Sequence, residues 1–276
     1  MARIKTWRFI DTGECNGHYN MAVDEALMQV YSESEKPTPV LRFYGWALPT
    51  LSLGRFQKAS EVLKLDHCKN DNQTFVRRMT GGGCIYHTDE ITYSLVCTDQ
   101  DLETKSVKES YHKLCAFLIM TYRKLGLKAN YALDHVMSFN PEEKGKLGEK
   151  TAFCFAGKEL YDIVIDGKKL GGNAQRRKQN LIMQHGSIPL GLHFETSNKY
   201  LTEPVIGLDH KIGSLRTLGV KQNIDEIKKI MAFSFAKNLN IEFISDSFTE
   251  KEKERINFLL THKYQTDLWN LDGKEN

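Results

Sequence analysis

The chain has 276 residues, 41% of them hydrophobic and 26% charged, with 38 basic against 35 acidic residues and a net charge of +3. That length suffices for a sizeable core in one large domain or two small ones, and the composition is that of a globular protein. The balanced charge argues against nucleic acid as a partner, the charged start MARIKTWRFIDTGECNG does not read as a secretion signal, and no apolar run approaches the ~18 residues of a membrane span.

Residues His18–Ser32 repeat apolar positions at Ala22, Ala26 and Val30, with Val23 and Leu27 beside them, which is helical spacing. Short β-like runs follow at Leu41–Trp46, Leu51–Leu53 and Thr74–Arg77, each bounded by Gly, Pro or polar residues. The next segment reads Arg77-Arg78-Met79-Thr80-Gly81-Gly82-Gly83-Cys84-Ile85-Tyr86-His87. Consecutive glycines after a strand cost backbone entropy, which is tolerated where the main chain turns tightly or lies against a ligand. The two arginines offer charge to a phosphate or carboxylate. The run is not a P-loop, because the G-x-x-x-x-G-K-[ST] spacing is missing. A strand is expected at Ile91–Cys97.

Ser106 and Glu109 have capping-box spacing, Tyr111, Leu114, Leu118, Tyr122 and Leu125 share one helical face, and Gly126 marks a stop. The charged stretch Asn140–Lys150 reads as a solvated loop or a flap beside a site. It precedes Cys154, in Ala152-Phe153-Cys154-Phe155. Six cysteines (Cys15, Cys68, Cys84, Cys97, Cys115 and Cys154) form no C-x-x-C pair, so neither a metal site nor a disulfide framework is expected, and the thiols fit a reducing cytoplasm. Burial would make such a thiol inert, whereas a neighbouring ammonium would activate it.

Leu160–Ile165, Asp166-Gly167 and Lys168–Leu170 form the clearest hairpin signal, since Asp-Gly suits a type I′ turn. That pairing sets Lys169 opposite Val164, where a lysine is ordinarily a solvated surface cation. Beyond it run Gly171-Gly172-Asn173-Ala174 and the basic group Arg176, Arg177 and Lys178. A strand is expected at Leu181–His185, leading into Gly186-Ser187-Ile188. His185, taken alone, reads as a structural histidine. Asn223 and Glu226 open a helix with Ile227, Ile230, Met231 and Phe235 inward, Ile241–Ile244 forms a last strand, and Thr249 with Glu252 opens one further helix and a tail. Strands and helices intermingle without a regular βαβ rhythm, so the fold class is α/β (α+β), a mixed sheet flanked by helices.

Taken together these segments resemble the biotin/lipoate ligase and octanoyltransferase superfamily, most closely its LipM-type, cysteine-dependent branch. The resemblance rests on Asp11-Thr12-Gly13, Asn20–Glu25, Leu41–Trp46, Leu51–Gln57, Arg77–His87 with Thr92-Tyr93-Ser94, Gly167–Arg177 and Gln184–Ile188, in order along nearly the whole chain. It implies a catalytic domain over 1–245, with a C-terminal helix and tail over 246–276 packed on it. The implied catalytic residues are Cys154 and, fifteen positions later, Lys169. Arg78, Thr80, Gly81, Gly82, Gly83, His87, Gly171, Gly172, Asn173, Ala174, His185 and Gly186 would line the acyl tunnel.

The implied reaction carries octanoyl from octanoyl-acyl carrier protein, through a Cys154 thioester, to a lysine of a lipoyl-domain protein, H protein or E2, without ATP, metal or membrane. Two alternatives share the scaffold, an amidotransferase between lipoyl-domain proteins and an ATP-dependent lipoate ligase; the short C-terminal region argues against the latter. The family pattern His-Asp appears here as His87-Thr88-Asp89, and an acid shifted by one in a strand would face the other way.

Overall fold

A computed structural model describes residues 5–104, 106–139, 161–204, 207 and 210–275. Its strands are β1 (Lys5–Cys15), β2 (Val40–Trp46), β3 (Thr50–Leu53), β4 (Thr74–Arg77), β5 (Ile85–His87), β6 (Glu90–Thr98), β7 (Ala129–Tyr131), β8 (Ile163–Ile165), β9 (Lys168–Leu170), β10 (Gly172–Lys178), β11 (Leu181–Pro189), β12 (Ile212–Gly213) and β13 (Ile241–Ser245). They form a mixed sheet in the order β10-β11-β6-β2-β1-β13, a second sheet β12-β9-β8-β7 and a third β4-β3-β5. In the largest, β1 runs parallel to β2 and β13, while β2, β6, β11 and β10 pair antiparallel in turn.

Strand periodicity sorts the core. Trp7, Leu41, Phe43, Tyr93 and Leu95 face one side of the large sheet, against the helices Val107–Lys124 and Ile224–Leu239. Ile10, Val40, Tyr44, Trp46 and Val96 face the other, against the helix Gly17–Glu33 and the C-terminal helix Glu250–Leu259. This is the mixed sheet flanked by helices that the sequence leads one to expect.

Local signals map closely. The first helix runs from Gly17 rather than His18, and Asn16 caps it through His18 N–H. Asn223 with Glu226 and Thr249 with Glu252 close complete capping boxes, and Ser106 Oγ accepts from Glu109 N–H. Asp166 and Gly167 take φ of 49° and 78°, as a type I′ turn requires, and Val164 pairs with Lys169. Cys154, Asn140–Lys150 and Leu160 lie outside the described residues.

Other features differ from expectation. Strands β1, β5, β7, β10 and β12 carried no recognised signal. β10 reads GNAQRRK because it is an edge strand, half-exposed and held by β11 alone in its sheet. The tail is more than one helix: Glu250–Leu259 passes into a π-helical turn, Leu260–Tyr264, and a short helix, Asp267–Asn270.

That short helix explains Arg77, which is not available to an anionic ligand. Its buried guanidinium donates to the carbonyls of Trp269 (2.8 Å), Asn270 (3.0 Å) and Leu271 (2.9 Å), and Trp269 Nε1 returns a bond to Arg77 O at 2.8 Å. The Trp269 ring is fully buried between Lys263 Nζ (3.9 Å) and Arg55 Cζ (4.2 Å). Trp269→Ala is therefore expected to lower unfolding stability by about 3–5 kcal/mol, read as a shifted midpoint in urea denaturation.

Candidate functional site

On β2, Arg42 alternates with Val40 and Tyr44 toward the first helix, which draws an arginine into a buried layer. Fully buried, it donates to Asp24 Oδ1 at 2.9 Å, to Asn20 Oδ1 at 2.6 Å and to Thr12 Oγ1 at 3.0 Å. Asp24 also accepts from Tyr44 OH at 3.0 Å and Ser94 Oγ at 2.7 Å, and its Oδ2 lies 3.3 Å from His185 Nδ1. The other imidazole nitrogen of His185, Nε2, is 2.7 Å from Thr80 Oγ1, just before the glycine run. Burial pushes the Asp24 carboxyl up, but His185, Arg42 and Ser94 outweigh it and leave the group below the usual carboxylate range. Burial pulls His185 below its ordinary value despite the opposing bond from Asp24. A neutral ring giving Nδ1–H to Asp24 and receiving the Thr80 hydroxyl at Nε2 satisfies every partner.

A second chain of the same kind runs beside it. Buried Glu90 accepts from Trp46 Nε1 (3.0 Å), Ser187 Oγ (2.7 Å) and Thr92 Oγ1, and lies 2.9 Å from His87 Nδ1. His87 Nε2 is 2.7 Å from Ser52 Oγ, and Trp46 stacks on the His87 ring at 3.9 Å between centroids. Burial pushes Glu90 up, and His87, Thr92 and Ser187 together hold it below its ordinary value. Arg78 Nη1 donates to Ser52 O (2.7 Å) and Oγ (2.9 Å), while Nη2 donates to the carbonyls of Gly81 (3.0 Å) and Gly83 (2.7 Å). Arg78 thus shapes the glycine run by holding its main chain.

Between the two chains lies a cleft. Gly172, Asn173, Ala174, His185 and Gly186 border one side, Ser52, Arg78, Ile85 and His87 the other, and Met21, Tyr44 and Trp46 supply apolar wall. Thr80 stands behind His185, and Gly81–Gly83 form the loop fastened by Arg78. Gly171, at φ 79°, turns the chain from β9 into β10, and a Cβ there would lie 2.3 Å from Ser187 O. This corner joins the hairpin sheet to the large sheet.

Lys169 precedes that corner by two residues and is not the surface cation its residue type suggests. It is 3% exposed, on the face of the hairpin sheet it shares with its strand partners Val164 and Ile212, and its Nζ meets Asp162 Oδ2 at 2.7 Å. The acid beside His87 is Glu90, whereas Thr88 and Asp89 form the bend between β5 and β6 with Asp89 exposed. The displaced acid therefore sits in no strand. Of the basic group, Arg176 donates to Met79 O (2.9 Å) and Arg177 to Asp99 (2.5 Å) and Ser110 Oγ (2.7 Å), leaving Lys178 exposed. Among the described residues no cluster of three His, Cys, Asp or Glu could hold a metal.

Sequence reasoning named the histidines and missed the groups that orient them, Asp24, Glu90 and Ser52, along with Asp162 beside Lys169. For Glu90 the signal was its place three residues after His87; Asp24 and His185 are 161 residues apart and left no local trace.

A buried lysine on a hairpin, two carboxylate-braced histidines and a glycine run around a partly apolar cleft make up a catalytic domain of the lipoate-attachment class. The chain belongs to the lipoyl protein ligase A/B catalytic domain family, which it matches over residues 16–236. Octanoyltransferases LipM of Halalkalibacterium halodurans and Bacillus subtilis are 36% and 33% identical to it, over 97% and 96% of this chain and 99% and 98% of theirs. The fold is shared with the lipoate protein ligase of a bipartite archaeal lipoylation system from Thermoplasma acidophilum (TM-score 0.79, 23% identity, 99% of this chain and 98% of that one). It is shared equally with a lipoate-protein ligase A bound with ATP (TM-score 0.79, 24% identity, 98% and 100%).

The titration of these buried groups has a consequence for stability. The unfolded chain protonates His185 near pH 6.5 while the folded chain resists it, so stability falls as pH drops below about 6.5. Asp24 and Glu90, depressed in the fold, add a further loss at more acidic pH. Thermal melts should show a lower Tm at pH 5.5 than at 7.5, and His185→Gln should narrow that difference.

Proposed function

We propose that this chain is an octanoyltransferase of lipoate biosynthesis, moving octanoyl from octanoyl-acyl carrier protein through Cys154 to a lysine of a lipoyl-domain protein, with glycine cleavage H protein as acceptor. The observation that carries this reading is the near full-length likeness to octanoyltransferases, joined to a buried Lys169 fifteen positions after Cys154.

In the first step the Cys154 thiolate attacks the thioester carbonyl, the tetrahedral adduct collapses, and the carrier's thiol departs with a proton. In the second, the acceptor amine attacks the S-octanoyl enzyme, an amide forms, the amine proton is released, and Cys154 leaves as thiolate. The first exchange is near neutral in energy and the second is downhill, so neither ATP nor a metal is called for. Lys169, held by Asp162, serves as the ammonium that favours the thiolate and moves protons between thiol and amine. Arg78, Thr80 and Gly81–Gly83 shape one wall of the acyl cleft, and Gly171–Ala174 with His185 and Gly186 shape the other. The work is placed in the cytoplasm, where acyl carrier protein and lipoyl-domain proteins meet; no helix among the described residues is long and apolar enough to cross a membrane.

Incubation with octanoyl-acyl carrier protein without ATP, followed by intact mass measurement, is expected to show one octanoyl adduct that hydroxylamine removes. Cys154→Ala should show none, and Lys169→Met should acylate about 10²–10⁴-fold more slowly. Absence of the wild-type adduct, with lipoyl-domain modification that requires octanoate and ATP, would instead establish a ligase.

A further inference from the structure

The floor of the cleft is one line of paired residues across the large sheet. Gly172 on β10 pairs with Ser187 on β11, Ser187 with Thr92 on β6, and Thr92 with Tyr44 on β2. Paired residues share a face of the sheet, and all four of these line the cleft. Their sizes rise along the line, from no side chain at Gly172, through Ser187 and Thr92, to the phenol ring of Tyr44. Exposure runs the other way. Ala174, next to Gly172 on that face of the edge strand, is half-buried, whereas Thr92 is 3% exposed and Tyr44 is fully buried. The line therefore has an open end at β10, beside the Gly171 corner, and a closed end at β2.

The open part of the floor suits an apolar chain. Ser187 and Thr92 both donate their hydroxyl protons to Glu90, so neither asks a ligand for a hydrogen bond. With neighbouring strands about 4.8 Å apart, the span from Gly172 over Ser187 to Thr92 is about 10 Å, the length of an extended octanoyl chain. The closed end has two fixed walls and one soft one. Tyr44 OH donates to Asp24 at 3.0 Å, and the Arg42 guanidinium lies over its ring at 4.0 Å. Trp46 donates Nε1 to Glu90 and stacks on His87. Met21, on the first helix one turn before Asp24, packs in the same core cluster as both rings and is 3% exposed. Its thioether is unbranched, carries no polar hydrogen to fasten it, and fills the space the two rings leave.

We infer that Met21 is the chain-length stop of the cleft: the terminal methyl of an octanoyl group laid over Ser187 and Thr92 abuts its side chain, and longer chains are rejected there. The inference rests on the octanoyl-transfer reading above and concerns which acyl group is accepted, not how it reacts. Tyr44 and Trp46 form the rigid part of the end wall, since moving either would break bonds to Asp24 or Glu90. Met21 sets how much room remains in front of them. Each methylene too many in a closed apolar pocket costs about 10–200-fold in discrimination, so one side chain at the closed end is enough to select a length.

The test measures transfer from hexanoyl-, octanoyl- and decanoyl-acyl carrier protein to a lipoyl domain, by intact mass of the acceptor, for full-length wild type, Met21→Ala and Met21→Phe. Ratios between donors are taken within one preparation, so a partly unfolded variant still reports its specificity. Met21→Ala is expected to raise the decanoyl-to-octanoyl ratio of kcat/KM by at least about tenfold. Met21→Phe is expected to raise the hexanoyl-to-octanoyl ratio by a similar factor. Ratios within about threefold of wild type in either variant, or losses of equal size for all three donors, would overturn the assignment. So would a wild-type profile with no step between octanoyl and decanoyl. A wild type that transfers no acyl group from any donor would remove the octanoyltransferase reading itself, whereas octanoyl transfer with unaltered ratios removes this inference alone.

Discussion

Arg42 lies inside the protein because Asp24 does. Taking two charges out of water costs several kcal/mol per ion, and removing either partner alone would leave the other uncompensated at a cost of about 3–5 kcal/mol. An apolar pair would stabilise the helix–sheet contact as well, so stability is a weak account of the arrangement. Its geometry offers a better one. Arg42 pairs with Ser94 across β2 and β6, and Ser94 pairs with His185 across β6 and β11, so three side chains aligned on neighbouring strands converge on one carboxylate. Slipping β2 by one residue would drive Arg42 into the layer of Leu41 and Phe43. The ion pair therefore makes the register of the central strands hard to mistake, and the cleft inherits its shape from that register.

The rest of the site is built outward from this point. Asp24 fixes His185, and His185 holds Thr80 at the mouth of the glycine run. Glu90, at the start of β6, fixes His87 on the third sheet, and Ser52 links that ring to Arg78, which draws the glycine carbonyls inward. The neighbouring Arg77 binds the C-terminal segment instead. Adjacent arginines thus fasten one strand end in two directions, the loop toward the cleft and the tail against the outside of the β4 strand.

Legibility followed the range of the interactions. The Asp166-Gly167 turn, the capping boxes at Asn223 and Thr249 and the helix stop at Gly126 were readable because their physics is local. The mixed sheet flanked by helices was readable from period and punctuation. Lys169 was misread as exposed on residue type, since its burial depends on β12 and on Asp162, neither of which the hairpin announces. His185 read as structural for the same reason, its meaning residing in Asp24 and Thr80. β10 has no apolar alternation because an edge strand with one neighbour has only half a surface to bury. The resemblance of the motifs to a known family supplied the set of cleft residues, and the way they are braced was visible only in three dimensions.

The placement of acids gives the cleft its chemical character. Among its described lining residues there is no Asp or Glu. Asp24 and Glu90 stand one layer back, each behind a histidine, and Asp162 faces Lys169. For the proposed reaction, a bare carboxylate on the cleft wall would oppose both a thiolate and an oxyanion, and in a poorly solvated space that opposition would be large. Setting each carboxylate behind an imidazole or an ammonium keeps its power to orient a side chain and keeps acidic side chains off the cleft wall. A site arranged in this way favours negative charge that appears during reaction over negative charge already present, which is the discrimination that the proposed thioester route calls for.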